Sequence, residues 1–387
     1  MRVSHVITRL VIGGAQENTV ATVLGLRRKP DFQVDLISGS STGPEGSLAS
    51  LFHDDPGLLR FEPALVRAIN PVCDFIALQR LTRLFRSTRP RIVHTHSGKA
   101  GILGRLAASR AGVPIIIHTI HGPSFGNFQG PLSNGIFKTA ERLAARRTTH
   151  FVSVAQAMTR QYLAADIGRP DQYTRILSGF PLEPFLAARN DPDLRQRLQI
   201  EPADIVVGKI SRLFKLKGHD DLISVAPEAI RRCPRLKFLL VGDGAWRERL
   251  QNRVASLGLQ KHFIFTGLVP PSEIPRYLGV MDLLVHLSLR EGLPRALPQA
   301  LAAGRPVIAY DCDGVGEVCL SGETGFLVPP GDLSQLTERM IQLGSNPGLR
   351  EQMGTRGREF VRQYFSVETM VENICGLYRQ LAATLPE

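Results

Sequence analysis

The chain alternates short apolar, β-branched runs with longer stretches in which apolar residues recur every three to four positions. The first kind predicts strands and the second amphipathic helices. In the first half the strand runs are 3–8, 33–38, 91–95, 115–119, 150–154 and 174–177, and the helical stretches are 16–28, 75–87, 99–111, 136–147 and 155–164. The alternation then restarts. Strands are predicted at 205–210, 237–241, 263–266, 283–286, 306–309 and 325–328, and helices at 220–233, 245–257, 273–280, 297–302 and 333–343. A last amphipathic stretch covers 367–381. Strands alternating with helices need crossover connections, and crossovers build parallel sheets covered on both faces. The expected fold is α/β, with two Rossmann-like doubly wound parallel-sheet domains facing a central cleft at the carboxyl ends of their strands. Pro181, Pro184, Pro192 and Pro202 interrupt the pattern among polar residues. The predicted division is therefore residues 1–182, a linker at 183–202, a second domain at 203–365, and a helix at 366–387 packing back toward the first domain.

With 387 residues, 43% of them hydrophobic, the chain can bury two cores. Its 6% aromatic and 21% charged residues exclude disordered, collagen-like and coiled-coil classes. Cys73, Cys233, Cys312, Cys319 and Cys375 are odd in number and scattered, with no CxxC pair. That predicts neither a disulfide framework nor a zinc site, and it suits a reducing cytosol. The sequence opens on a strand run without a basic-then-apolar leader, and no apolar stretch approaches the roughly 20 residues a membrane span needs. Membrane contact is expected to be peripheral, on the inner face of the cell membrane.

The formal net charge of +12 favours an anionic partner, whether nucleotide phosphates, nucleic acid or an anionic membrane. No helix-turn-helix, zinc or base-stacking pattern accompanies it, so nucleic acid is not expected. Arg80, Arg83 and Arg86 recur at helical spacing beside Leu and Phe. They form either a face for anionic headgroups or an ordinary hydrated surface.

Five stretches carry candidate chemistry. Gly13 and Gly14 follow the first strand and open a helix, where close backbone approach and free N–H groups suit an anion. In His94-Thr95-His96 the two histidines are expected on opposite faces of their strand, which would keep them from sharing a metal; Ser97 is expected to cap the next helix, with Lys99 near its start. His121 and Gly122 leave the strand at 115–119, and a neutral His there can hydrogen-bond a sugar hydroxyl or carry a proton. Arg212 and Lys217 follow the first strand of the second half, where a planar fork and a compact cation suit a diphosphate leaving group. The last stretch holds Glu291, Gly292, Leu293 and Pro294 in a loop before a helix carrying Gln299, then Gly304-Arg305-Pro306. A carboxylate there is costly unless it is bound to something.

Together these stretches resemble the retaining glycosyltransferases of family 4, with the GT-B architecture, including members acting in surface-polysaccharide assembly. The resemblance implies that Arg212 and Lys217 hold a donor diphosphate and that Glu291 binds hydroxyls of the transferred sugar, near the N–H groups of Gly292, Leu293 and Pro294. It places His121, beside Gly122, near the sugar's primary hydroxyl. Gly13 and Gly14 fall against the diphosphate or the acceptor, and Gly242, Asp243 and Leu268 beside the nucleobase and ribose. The family usually carries a second Glu eight residues after the first. Here Gln299 stands in its place, and an amide cannot accept bidentately as an anion does.

The expected reaction transfers a sugar from a nucleoside-diphosphate sugar, UDP- before GDP-, to a hydroxyl of a saccharide or lipid-linked saccharide with retention. No cofactor or metal is expected, since Arg and Lys neutralise the diphosphate, and Asp311 and Asp313 make a weak acidic pair. A non-catalytic nucleotide-binding relative and an NAD-type oxidoreductase are the alternatives; the second lacks a GxGxxG run.

Overall fold

The computed structural model describes residues 1–387 except 41–45, 127–128 and 385–387. The chain divides into two compact units, Met1–Phe180 with Val367–Glu387, and Pro181–Ser366. Residues 183–202, expected as a linker, carry the short helices Glu183–Leu186 and Pro192–Arg197 and belong to the second unit. Asp191 caps the second of these through the Leu194 N–H and also pairs with Arg276, so polar residues that looked like linker are structural.

The first unit holds seven parallel strands: β1 (Arg2–Ile7), β2 (Gln33–Ser38), β3 (Leu59–Phe61), β4 (Ile92–His96), β5 (Ile115–Ile120), β6 (His150–Ser153) and β7 (Tyr173–Arg175). Their order is β3-β2-β1-β4-β5-β6-β7, so the winding reverses between β1 and β4. Two apolar layers cover the sheet. In one, Met370, Val371, Ile374 and Leu377 of the helix Val367–Ala383 pack with the helix Gly14–Arg27. Gly25 permits this approach, since a Cβ there would lie 2.4 Å from Val371. In the helix layer over the other face, Arg105 and Glu141 form an ion pair at 2.5 Å, and both side chains are wholly buried.

The second unit holds six parallel strands: β8 (Ile205–Ile210), β9 (Leu236–Val241), β10 (Phe263–Gly267), β11 (Leu283–His286), β12 (Val307–Tyr310) and β13 (Gly325–Val328). The order is β10-β9-β8-β11-β12-β13, with the reversal between β8 and β11. Its core runs from Val207 and Phe238 through Leu283, Val285 and Ile308 to Leu336 and Met340. The helix Pro347–Tyr364 has no counterpart in the sequence reading. Two of its four buried positions are Gly354 and Gly357, which pack against the Gly304 backbone and Leu301. Glycines stand where apolar side chains would have marked the helical period.

Candidate active site

In an open parallel sheet the loops at the carboxyl ends of the strands flanking the reversal form a natural crevice. In the second unit those strands are β8 and β11. The loop after β8 carries Arg212, Lys217 and Gly218; the loop after β11 carries Glu291, Gly292, Leu293 and Pro294. Seventy-four positions separate Lys217 from Glu291, yet Lys217 Nζ donates to Glu291 Oε1 at 2.5 Å. The two loops are also tied by the Leu289 N–H, which donates to the Leu216 carbonyl at 2.9 Å. Gly218 makes that approach possible. It sits at φ 64° at the start of the helix His219–Arg232, and a Cβ would lie 2.1 Å from the Leu287 carbonyl oxygen.

Glu291 is the centre of this arrangement. His286 Nε2, at the end of β11, lies 3.3 Å from the same carboxylate oxygen that Lys217 holds. Burial alone would raise the Glu291 carboxyl, but His286 and Lys217 outweigh it and keep it well below the usual carboxylate range. The Glu291 N–H donates to Asp313 Oδ2 at 2.8 Å, and Asp313 itself sits at φ 45°. The carboxylate of Asp313 thus shapes the glutamate loop. The weak acidic pair with Asp311 is not needed to explain it.

Arg212 is exposed, with its guanidinium 5.4 Å from the Phe214 ring centroid, a cation–π distance that leaves its forked donors available. Its carbonyl accepts from His219 Nε2 at 3.0 Å, and burial lowers His219 to about 4, so the ring is neutral. Lys209, inside β8, is wholly buried and its Nζ has no hydrogen-bond partner among the described residues. Burial first, and the Lys217 charge second, bring it down to about 7. Lys209 stands in the same stretch as Arg212, but the sequence assigned it no role, although a single Lys inside the apolar run Ile205–Ile210 marks it out.

The other candidates of this unit sit on the same sheet edge. Gly242 follows β9 at φ 133°, where a Cβ would lie 2.2 Å from the Ser211 carbonyl oxygen, so it lets the turn after β9 close on the loop after β8. Asp243 pairs with Arg247 at 2.8 Å. Leu268 follows β10 and is exposed. Gln299 lies half-buried on the helix Ala296–Ala302 behind the Glu291 loop. A cavity of about 290 Å³ lined by Asp282, Arg305, Arg350 and Arg358 lies instead at the amino ends of β11 and β12, away from these groups.

In the first unit Gly13 caps the helix Gly14–Arg27 without a side-chain bond, and Gly122 follows His121 just past β5. His121 is half-buried and pushed down to about 4 by burial. Two expectations fail nearby. His94 and His96 lie on one face, not two, because side chains repeat every second residue along a strand. Their rings stack with centroids 4.4 Å apart, and register sets His5 of β1 opposite His94. His5, His94 and His96 lie close enough to share one ion. Ser97 starts the helix Gly98–Ala111 with no side-chain cap bond, at φ 66°, and Lys99 pairs with Asp74 at 2.6 Å.

Residues 190–360 match the glycosyl transferases group 1 family, and residues 13–179 a glycosyl transferase 4-like domain. The chain is 30% identical to the GDP-mannose-dependent alpha-(1-6)-phosphatidylinositol monomannoside mannosyltransferase of Mycolicibacterium smegmatis, over 67% of this chain and 68% of that one. The chain belongs to the family 4 glycosyltransferases. It is also 28% identical to the UDP-Gal:alpha-D-GlcNAc-diphosphoundecaprenol alpha-1,3-galactosyltransferase of Escherichia coli, across 98% of this chain and 96% of that one. Two solved structures share the fold of this glycosyltransferase. A glycosyltransferase from Rickettsia africae superposes with a TM-score of 0.83 at 19% identity, covering 99% of both chains. Anabaena HepE in complex with UDP gives 0.79 at 22% identity, covering 98% of this chain and all of that one. The two sheets, of seven and six parallel strands, are those of the GT-B architecture.

Proposed function

We propose that this glycosyltransferase moves a sugar from a UDP-sugar to a hydroxyl of a saccharide or lipid-linked saccharide, with retention and without a metal ion. The observation that carries the reading is the Lys217–Glu291 pair at the β8/β11 reversal, with Arg212 on the same loop as Lys217. Two cations at one loop suit a diphosphate whose charge grows as the glycosidic bond breaks, and groups fixed in advance stabilise that charge without reorganising. Glu291, held ionised, accepts hydrogen bonds from sugar hydroxyls. With the cations supplied by the chain, a leaving-group oxygen takes the acceptor's proton on the face it leaves from. UDP is favoured over GDP by the Escherichia coli relative, named for UDP-Gal and matched almost end to end, and by HepE, solved with UDP. The same relative is named for a diphosphoundecaprenol substrate, which supports a lipid-linked acceptor here.

A lipid-linked acceptor calls for a membrane surface. No helix among the described residues is long and apolar enough to cross a membrane. The helix Pro71–Thr88 and the residue before its cap instead expose Ile69, Val72, Phe75 and Ile76, and Arg80, Arg83 and Arg86 follow on its exposed side. Arg80 reaches Glu62 at 3.2 Å. Apolar and cationic side chains on one exposed helix suit an anionic bilayer interface, and binding to anionic vesicles at low salt is the expected result. The enzymatic reading is tested by assaying transfer from UDP-sugars with Glu291→Ala and Lys217→Ala. Unchanged turnover in both variants would end this assignment.

A further inference from the structure

His121, His96, His5 and His94 of the first unit form, with Tyr378, a continuous hydrogen-bonded chain that none of the roles above uses. His121 Nε2 lies 3.1 Å from His96 Nδ1, and His96 Nε2 lies 2.9 Å from His5 Nδ1. His5 Nε2 lies 3.3 Å from the Tyr378 hydroxyl, which lies 2.5 Å from His94 Nδ1. His94 Nε2 ends the chain on the Thr119 hydroxyl at 2.6 Å. Every ring nitrogen of His5, His94 and His96 therefore has a partner. A shared ion would have to displace several of these bonds at once.

Burial holds all four rings below the usual histidine range, His5 at about 3 and His121 at about 4, so each is neutral at pH 7. A neutral imidazole has one donor and one acceptor. Linked through one hydroxyl, the four rings then admit two arrangements. Either Tyr378 donates to His94 and all four rings carry their proton on Nε2, or every bond reverses and all four carry it on Nδ1. Intrinsic tautomer preference selects the first. Neutral histidine intrinsically favours the Nε2–H form, and here the preference applies four times.

We infer that this chain is a positioning device: His96, His5 and Tyr378 lock His121 in its Nε2–H form and leave its Nδ1 lone pair as an acceptor for a ligand hydroxyl. The inference rests on the reading that His121 meets the sugar or its acceptor, and a hydroxylated ligand is the class that an uncharged acceptor nitrogen suits. The helix Val367–Ala383 contributes to the site through Tyr378, without touching the ligand.

The test is long-range ¹H–¹⁵N correlation of the histidine rings at pH 7.5 on the full chain. The wild type should show His121 protonated on Nε2. Tyr378→Phe keeps the ring volume but strands the His5 Nε2–H, so the segment should reverse and move the His121 proton toward Nδ1. His5→Leu breaks the chain at another link and should also release the His121 tautomer. In both variants transfer should fall by about 2- to 10-fold in kcat, the worth of one hydrogen bond, with the Kd for UDP unchanged. A wild-type His121 protonated on Nδ1, His121 signals unmoved in both variants, or a tightly held transition metal lost on His94→Ala would overturn the inference. Unchanged turnover in His121→Ala would instead sink the sugar-side reading and leave the tautomer result standing.

Discussion

The two units treat buried charge in opposite ways. In the first, Arg105 and Glu141 are matched, both wholly buried, inside the helix layer, while the sheet edge carries neutral histidines. In the second, the sheet edge is charged, and behind it Lys209 is buried with no hydrogen-bond partner among the described residues. A matched buried pair serves the fold. A buried cation without a hydrogen-bond partner, behind the loop of Arg212 and Lys217, costs stability, and a bound phosphate would offset that cost. The first edge suits hydrogen bonds to uncharged hydroxyls and the second suits a phosphate.

Breaking the match should give the largest effect. Glu141→Ala strands a buried guanidinium and should cost about 3–5 kcal/mol of stability in urea unfolding; a loss under 1 kcal/mol would place the pair nearer solvent than its burial says. Next comes Lys217→Ala, which should lower transfer by about 10²- to 10³-fold, as expected for removing a fixed partner of developing charge. Lys209→Met should act in the opposite direction on stability, raising it by about 1–3 kcal/mol near pH 7 while weakening UDP binding. If stability fell, the buried cation would be matched after all. Smallest is Gln299→Glu, which should tighten UDP binding by about 1–2 kcal/mol by restoring a charge-assisted bond to the ribose.

pH separates the units further. Lys209 holds its proton to about pH 7 folded but to about pH 10.5 unfolded. Across that window the unfolded chain binds the extra proton, so stability should rise with pH, and the rise should be missing in Lys209→Met. In the first unit His5, His94, His96, His118, His121 and His150 are also lowered, but from about 6.5. Their stabilisation is intact above that value and is lost as pH falls toward 4. The second unit has two lowered rings, His219 and His286, against six in the first, so hydrogen exchange should show the first unit opening in acid before the second.

Much of this was legible in the pattern of residues. Periodicity located twelve of the strands to within a residue or two, because strands buried on both faces are continuous apolar runs. It missed β3, a three-residue edge strand that is largely exposed, and the helix Pro347–Tyr364, whose packing face contains glycines. The loops of Arg212, Lys217 and Glu291 were legible as chemistry, but their pairing was not. Only the strand order brings residues 74 apart to one reversal. The histidine chain was hidden twice, by a misjudged strand face and by register, which sets His5 against His94.

Calorimetric titration of UDP into the wild type, Lys217→Ala and Arg212→Ala tests the central claim most directly, that the β8/β11 reversal holds a nucleoside diphosphate. Binding to the wild type, weakened by about tenfold or more in each variant, is the predicted result. A wild type that binds neither UDP nor GDP, or variants that bind UDP as tightly as the wild type, would contradict it.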